Sequence, residues 1–125
     1  MNNITITGNL GKDPQTRYTP TGRKITSFSV AVDRQWKDAE GEKKEEVTWL
    51  NVETWNGLGE VCEKYLCKGR RVLVNGRLSI RPYTDQEGQS RLWVAVVASN
   101  VEFLDGPRQQ ENRAEGEVIS EDLPF

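Results

Sequence analysis

Apolar and polar residues alternate over most of the first hundred positions, which predicts β-strands with one buried and one exposed face. Five segments follow this pattern, namely residues 2–10, 23–36, 47–55, 70–81 and 92–104. The apolar residues expected to face inward are Ile4, Ile6, Leu10, Phe28, Val30, Val32, Leu50, Val52, Val72, Val74, Leu78 and Ile80. Polar runs, most with Gly or Pro, at 11–14, 20–22, 37–46 and 82–90 are predicted turns and loops.

The stretch from Gly57 to Lys68 breaks this alternation. Its apolar residues recur at the spacing of one helix face, and the pair Lys68 and Gly69 is typical of a helix end. These apolar residues are Leu58, Val61, Cys62, Tyr65 and Leu66. The pattern predicts an all-β fold of five strands with one helix between strands three and four, which is the element order of an OB-fold barrel.

Two tryptophans occupy outward positions of the third strand. Trp49 and Trp55 share a face with Asn51 and Glu53, opposite the residues expected in the core. At about 3.3 Å per residue they lie about 20 Å apart, which suits a flat, repeating ligand. The alternative is that a neighbouring loop or subunit covers these rings, because a large exposed apolar patch needs a partner.

The last strand, residues 92–104, carries apolar residues on both faces, which in a small domain indicates subunit contacts. On this interpretation Trp93 packs in the fold or at an interface and is not a platform for a ligand. Cys62 and Cys67 do not form a CxxC pair and lie on different faces of the predicted helix. Neither a disulfide nor a redox motif is therefore expected.

Charge is divided unevenly along the 125 residues, whose net charge is −2. Six acidic and two basic residues after position 104 give that segment −4, which leaves +2 for the rest. We therefore expect one mildly basic domain over residues 1–105 followed by an acidic tail. The linker 106–120 is expected to be disordered, because it has too few apolar side chains to offset the entropy of ordering.

Catalytic and membrane functions are disfavoured. The chain contains no histidine, no phosphate-binding glycine motif and no nucleophilic serine motif, and no acidic pair is spaced for acid and base catalysis. No apolar run approaches the roughly 18 residues of a membrane span, and no signal peptide is evident at residues 1–5. We expect a soluble intracellular protein without a membrane partner.

Aromatic rings and cations are interleaved at outward strand positions and loop edges. A groove for single-stranded nucleic acid requires this combination, because π faces stack bases and cations pair with phosphates. The rings are Trp36, Trp49, Trp55 and Tyr83, and the cations are Arg34, Lys43, Lys68, Arg77 and Arg81.

Longer strings carry a family resemblance, and they are Gly8–Pro14, Arg17–Gly22, Trp49–Val52, Tyr65–Gly69, Tyr83–Gly88 and Glu121–Phe125. They closely resemble the bacterial single-stranded DNA-binding proteins, a homotetrameric OB-fold family. The resemblance implies that the four rings stack bases and that Arg17, Lys68 and Arg81 lie near the DNA. It also implies a cytoplasmic, nucleoid-associated homotetramer that coats single-stranded DNA with little sequence specificity, without catalysis and without a cofactor.

The segment 121–125 combines negative charge with an apolar anchor. Glu121 and Asp122 precede Leu123, Pro124 and Phe125, so a partner pocket with a basic rim would bind this segment well. The resemblance favours docking of replication, recombination and repair proteins here. The alternative is a solvated acidic tail.

Two other classes of function remain open. One is an OB-fold interaction module, such as a primosome accessory factor, whose rings contact protein; such a module has no evident need for its own docking peptide. The other is an enzyme acting on nucleic acid, for which the sequence provides no visible catalytic constellation.

Overall fold

A computed structural model of the 125-residue chain describes residues 1–104. Within them lie β1 (Ile4–Leu10), β2 (Gln15–Tyr18), β3 (Lys24–Lys37), β4 (Lys43–Trp55), α1 (Asn56–Tyr65), β5 (Arg71–Thr84) and β6 (Ser90–Phe103). Five strands close into a barrel in the order β1-β5-β6-β4-β3, because β1 pairs with both β5 and β3. This confirms the predicted five-stranded barrel with one helix after its third long strand.

The short strand β2 was not predicted. It pairs with β3 outside the closed ring, from Gln15 opposite Ser27 to Tyr18 opposite Lys24. Its four residues are too few for a period of two to be recognised in the sequence.

The barrel interior contains the inward side of the alternating pattern. Val30, Val52, Val72, Val74 and Val96 are fully buried, and Ile6, Leu10 and Phe28 are nearly so. At about 1.5–3 kcal/mol for each large apolar side chain, this core is the main stabilising element. Leu78 and Ile80 were also expected inside, but they are 36% and 55% exposed. They lie on the part of β5 that pairs with β6 towards the hairpin end.

Helix α1 packs against the barrel core. It is shorter than the predicted range 57–68, because Leu66 adopts an extended conformation, with φ −98° and ψ 150°, and buries its side chain. Gly59 allows the close approach of helix and barrel. A Cβ at this position would lie 3.1 Å from both the Thr26 hydroxyl and the Thr54 carbonyl oxygen.

Three hairpins share one turn geometry. In each, the first residue donates its N–H to the carbonyl of the fifth and accepts the N–H of the fourth, which is a left-handed glycine. This is a three-residue loop built on a type I turn followed by a glycine bulge. The turns are Thr19–Arg23, Asp38–Glu42 and Asp85–Gln89.

The strands extend further than predicted at two of these turns. The expected loop 37–46 is reduced to five residues, because β3 and β4 remain paired as far as Lys37 and Lys43. One directly paired position carries opposite charges, the ion pair of Arg34 with Glu46 at 3.8 Å. The expected loop 82–90 is likewise reduced to the turn at residues 85–89.

At its centre, strand β6 is buried on both faces by the chain itself. Ala95 and Val96 point to opposite sides and both have 0% exposure within a single copy. The apolar pattern that indicated subunit contacts is therefore accounted for at these positions by packing within the chain.

Candidate nucleic-acid interface

The outer faces of β4, β6 and β5 form one continuous surface. Arg81 pairs with Trp93, and Val97 of β6 pairs with Glu53 on one side and Arg77 on the other. Side chains at directly paired positions lie on the same face of a sheet. The aromatic and charged residues on this surface include Trp49, Glu53, Trp55, Arg77, Arg81, Tyr83, Arg91 and Trp93.

Trp49 points outward, as predicted, and is 60% exposed. Its ring lies against the backbone of Gly11, so that a Cβ at residue 11 would be only 2.9 Å from Trp49 Cη2. The loop after β1 therefore supports one side of the ring. The glycine is needed because any larger residue would displace the indole.

Trp55 is only partly buried and carries a cation over its ring. The Arg23 guanidinium carbon lies 4.5 Å from the ring centroid, a cation–π geometry. Sequence reasoning missed Arg23. The signal available in the sequence was its place beside the turn glycine. In the structure, Ile25 lies two residues later and pairs directly with Trp55.

An open cleft of about 440 Å³ brings together Arg17 from β2, Arg81 and Tyr83 from β5, and two residues that were not predicted, Pro82 and Trp93. We call it the Tyr83 cleft. It combines two aromatic rings with two guanidinium groups in one concave surface. It can therefore accept a flat aromatic group and an anion side by side.

A second cleft of about 430 Å³ is lined by Arg23, Glu53, Trp55, Arg77, Ser79, Arg81 and Val97. We call it the Trp55 cleft. Arg81 lines both clefts, so the two are adjacent along the same surface. Together they form a groove in which the predicted residues Arg17, Trp55, Arg77, Arg81 and Tyr83 are assembled.

Trp36 lies on the opposite face of the β3–β4 ribbon from Trp49. The register of this pair is uninterrupted, and Trp36 pairs with Lys44, an even-numbered position, whereas Trp49 is odd-numbered. Its ring is 37% exposed, with the Arg34 guanidinium carbon 4.5 Å from its centroid. At the hairpin end Lys43, from the other face of the ribbon, lines one cleft together with Trp36. Arg34, Trp36 and Lys43 thus form a separate group at the tip of this hairpin.

Lys68 lies in the turn that follows α1, where its backbone N–H donates to Asp13 Oδ1 at 2.7 Å. It lines neither of the two clefts in the groove. The linker 106–120 and the docking residues Glu121, Asp122, Leu123, Pro124 and Phe125 lie outside the described residues.

Other chemistry is limited in the part of the chain that the structure describes. Burial raises the pKa of the Cys62 thiol to about 11, so it stays protonated and unreactive near neutral pH. Residues 1–104 contain no group of three or more His, Cys, Asp or Glu side chains arranged to hold a metal. The helix within this range is too short to cross a membrane.

Comparison with known proteins gives consistent matches. The model of the single-strand binding protein family matches residues 1–104. Two curated single-stranded DNA-binding proteins, from Neisseria meningitidis serogroups A and B, are 33% identical over 114 residues, which is 91% of this chain and 66% of theirs. The chain thus spans just under two thirds of these relatives. The solved Plasmodium falciparum SSB complex with ssDNA matches with a TM-score of 0.78 and 29% identity, covering 84% of this chain and 96% of that chain.

Proposed function

The chain belongs to the single-strand binding protein family, and from this premise we propose that it binds single-stranded DNA along the groove. The observation that carries the proposal is the Tyr83 cleft, where two aromatic rings and two guanidinium groups line one open surface. Rings stack bases and guanidinium groups pair with phosphates. The names of the curated relatives and of the solved complex support the same ligand.

Binding of this kind has little sequence preference, because every base has a π face and phosphate contacts carry no sequence information. In our proposal the bases stack on the four predicted rings and the phosphates contact the predicted cations. The stacking rings are Trp36, Trp49, Trp55 and Tyr83, and the cations are Arg17, Arg34, Lys43, Lys68, Arg77 and Arg81. Because such contacts release counterions, affinity falls steeply as salt concentration rises.

We further propose that the protein acts without catalysis, as a homotetramer that protects single-stranded DNA in the cytoplasm and nucleoid. Family membership supports the assembly. Recruitment of replication, recombination and repair proteins is assigned to residues 121–125, whose acidic and apolar side chains suit a pocket with a basic rim.

The DNA-binding proposal is tested by titrating tryptophan fluorescence with an oligothymidine. Stacking quenches the emission at low salt, and high salt restores it. Trp49→Ala is expected to weaken binding by about 1–3 kcal/mol, whereas the matched variant Trp49→Phe keeps a stacking ring and most of the affinity. Emission that does not change on adding DNA at low salt would contradict the proposal.

The recruitment and assembly proposals need separate measurements. Phe125→Ala is expected to leave DNA affinity unchanged and to abolish capture of repair or replication enzymes. Equal losses of DNA affinity from Phe125→Ala and Trp49→Ala would contradict this division of roles. A light-scattering mass equal to one 14.2 kDa chain would contradict the tetramer.

A further inference from the structure

Trp93 and Tyr83 line the same cleft from neighbouring positions of β6 and β5. Trp93 pairs directly with Arg81, and Tyr83 pairs with Arg91, so the two rings are diagonal neighbours across β5 and β6. Such neighbours are about 7–8 Å apart at the backbone. Two rings that enclose one flat base need about 7 Å, twice the carbon contact distance of roughly 3.5 Å. The separation of the two backbone positions is therefore wide enough for one base to lie between their side chains.

The N–H group of the Trp93 indole is held by a buried carboxylate beneath it. Its Nε1–H donates to Glu53 Oε2 at 3.0 Å, and the same oxygen accepts a hydrogen bond from Arg81 Nη2 at 3.3 Å. The Glu53 side chain is only 2% exposed. A carboxylate at this depth is held by its two partners and cannot move without breaking both contacts.

A covering role alone does not account for Glu53. Burying a carboxylate is costly unless it is paired, and an apolar side chain would cover the surface beneath Trp93 without that cost. Both partners of the buried carboxylate line the Tyr83 cleft, and Arg81 itself is 58% exposed. The buried charge thus acts on the cleft, where it holds one ring and one guanidinium in place.

We propose that Trp93 is a base-stacking ring of the Tyr83 cleft and that Glu53 is the positioning residue that orients it. The inference rests on the proposed function, since it names further residues for the same ligand. A base enters between Trp93 and Tyr83, while the outer N–H groups of Arg81 meet the adjoining phosphate. This role differs from the packing or interface role that the apolar pattern of β6 indicated for Trp93.

Two single-tryptophan proteins separate this proposal from the general one. In the first, Trp36, Trp49 and Trp55 are replaced by Phe, so that only Trp93 emits; in the second, Phe replaces all but Trp49. Phenylalanine keeps a stacking ring at each position. We expect an oligothymidine at low salt to quench both proteins. Quenching of Trp49 without quenching of Trp93 overturns the inference alone, whereas quenching of neither overturns the proposed function.

The role of Glu53 is tested in the same two backgrounds. Glu53→Gln keeps an oxygen that accepts the indole N–H, and Glu53→Ala removes it. We expect the Gln variant to retain most of the Trp93 quenching and the Ala variant to lose at least half of it. Trp49 quenching in the matched Glu53→Ala protein reports that the variant is still folded and still binds DNA. Unchanged Trp93 quenching in Glu53→Ala overturns the positioning role.

The affinity of the otherwise unmodified protein gives an independent measurement. Trp93→Leu keeps an apolar side chain over β6 and removes the stacking surface. We expect it to weaken oligothymidine binding by about 5- to 150-fold, the range typical of one lost stack. An affinity unchanged within twofold, in a variant whose thermal unfolding is also unchanged, overturns the stacking role.

Discussion

The outer ends of the β3–β4 and β5–β6 hairpins carry the same residue pattern at the same spacing. In both turns one aspartate oxygen accepts two backbone N–H groups, each at 2.9 Å. The second oxygen faces the cation that pairs directly with the aromatic residue. The matching residues are Arg34, Trp36, Asp38, Gly41 and Lys44 in one hairpin and Arg81, Tyr83, Asp85, Gly88 and Arg91 in the other.

The two hairpins differ in what supports them. Among residues 1–104, the polar side-chain contacts of the Trp36 hairpin stay within its own strands, as in the 3.9 Å approach of Lys44 to Asp38. The Tyr83 hairpin lines a cleft with Arg17 of β2, and its Arg81 contacts the buried Glu53. The hydrogen bonds of the turn therefore set the position of each ring relative to its own turn. Contacts with the barrel determine how strongly each hairpin is held in that position.

The largest expected effect is on DNA affinity. Tyr83→Ala should cost about 1–3 kcal/mol of binding free energy, because its hairpin is anchored to the barrel through Arg81 and Glu53 and so adds little ordering cost to stacking. Trp36→Ala should cost less, since among residues 1–104 no polar side-chain contact anchors the tip of its hairpin to the barrel and binding must restrict more of its motion. Oligothymidine titrations of both variants at one salt concentration measure the difference.

Ring type needs its own control in this comparison. Trp36→Tyr places the same ring in both hairpins, so any remaining difference reflects support and not the stacking strength of indole against phenol. The loss of DNA affinity between Trp36→Tyr and Trp36→Ala is then compared with the loss caused by Tyr83→Ala. If the loss at position 36 is equal or larger, contact with the barrel does not matter for stacking.

The next effect concerns stability and should be the same in both hairpins. Gly41 and Gly88 both have φ 81°, and a Cβ at either position would meet no atom within 4 Å. Alanine at either position should therefore cost about 1–2 kcal/mol through backbone strain alone. Urea unfolding of Gly41→Ala and Gly88→Ala measures both values, and a gap of more than about 1 kcal/mol would mean that the turns are not equivalent.

Gly57 provides the matched control for these substitutions. It lies in α1 without a positive φ, and a Cβ there would also meet nothing within 4 Å. Gly57→Ala should therefore be neutral or stabilising by up to about 1 kcal/mol. A loss at Gly57 similar to that at the turns would indicate a cause other than left-handed geometry.

The barrel could be predicted because its information is local. Alternation identified the inward residues Val30, Val52 and Val74, and it placed Trp49 outside. Counting by two from Val32 also places Trp36 on the inward side of β3. The charged run that follows instead favours an outward position at the edge of a loop. Local pattern failed where the strand was too short, as in β2.

The floor of the groove could not be predicted, because it depends on register between strands that are distant in sequence. Nothing near Glu53 indicates that a residue 40 positions later will bind it, as Trp93 does. Alternation correctly placed Glu53 on the outer face, but its burial results from the way Arg81 and Trp93 cover it. The apolar run around Trp93 indicated packing, because the local sequence does not show that Trp93 lies beside Arg81 and Glu53.

A smaller effect should come from the turn aspartates. Asp85→Ala removes the oxygen that accepts two backbone N–H groups and also the 2.7 Å contact with Arg91, whereas at Asp38 the corresponding cation is 3.9 Å away. We expect local opening to become easier by about 0.5–1.5 kcal/mol, and more so for the Tyr83 hairpin. Amide hydrogen exchange at Glu40 and Glu87 measures this directly. Asp→Asn variants keep the acceptor and should recover most of the protection, and failure to recover would place the effect elsewhere.

The smallest effect is a pH response of the Tyr83 hairpin. The Arg91 guanidinium and the backbone N–H groups of Gln89 and Glu87 hold the pKa of Asp85 below its ordinary value. A carboxyl with a lowered folded pKa stabilises the hairpin above its unfolded pKa of about 3.9, and this contribution is lost as pH falls through the lower folded value. Below about pH 4 the exchange protection of the Glu87 amide should therefore fall, and the effect should be small because solvent screens this partly exposed ion pair. Asp85→Asn should remove this pH dependence. If it persists in that variant, the Asp85–Arg91 pair is not the source of the pH response.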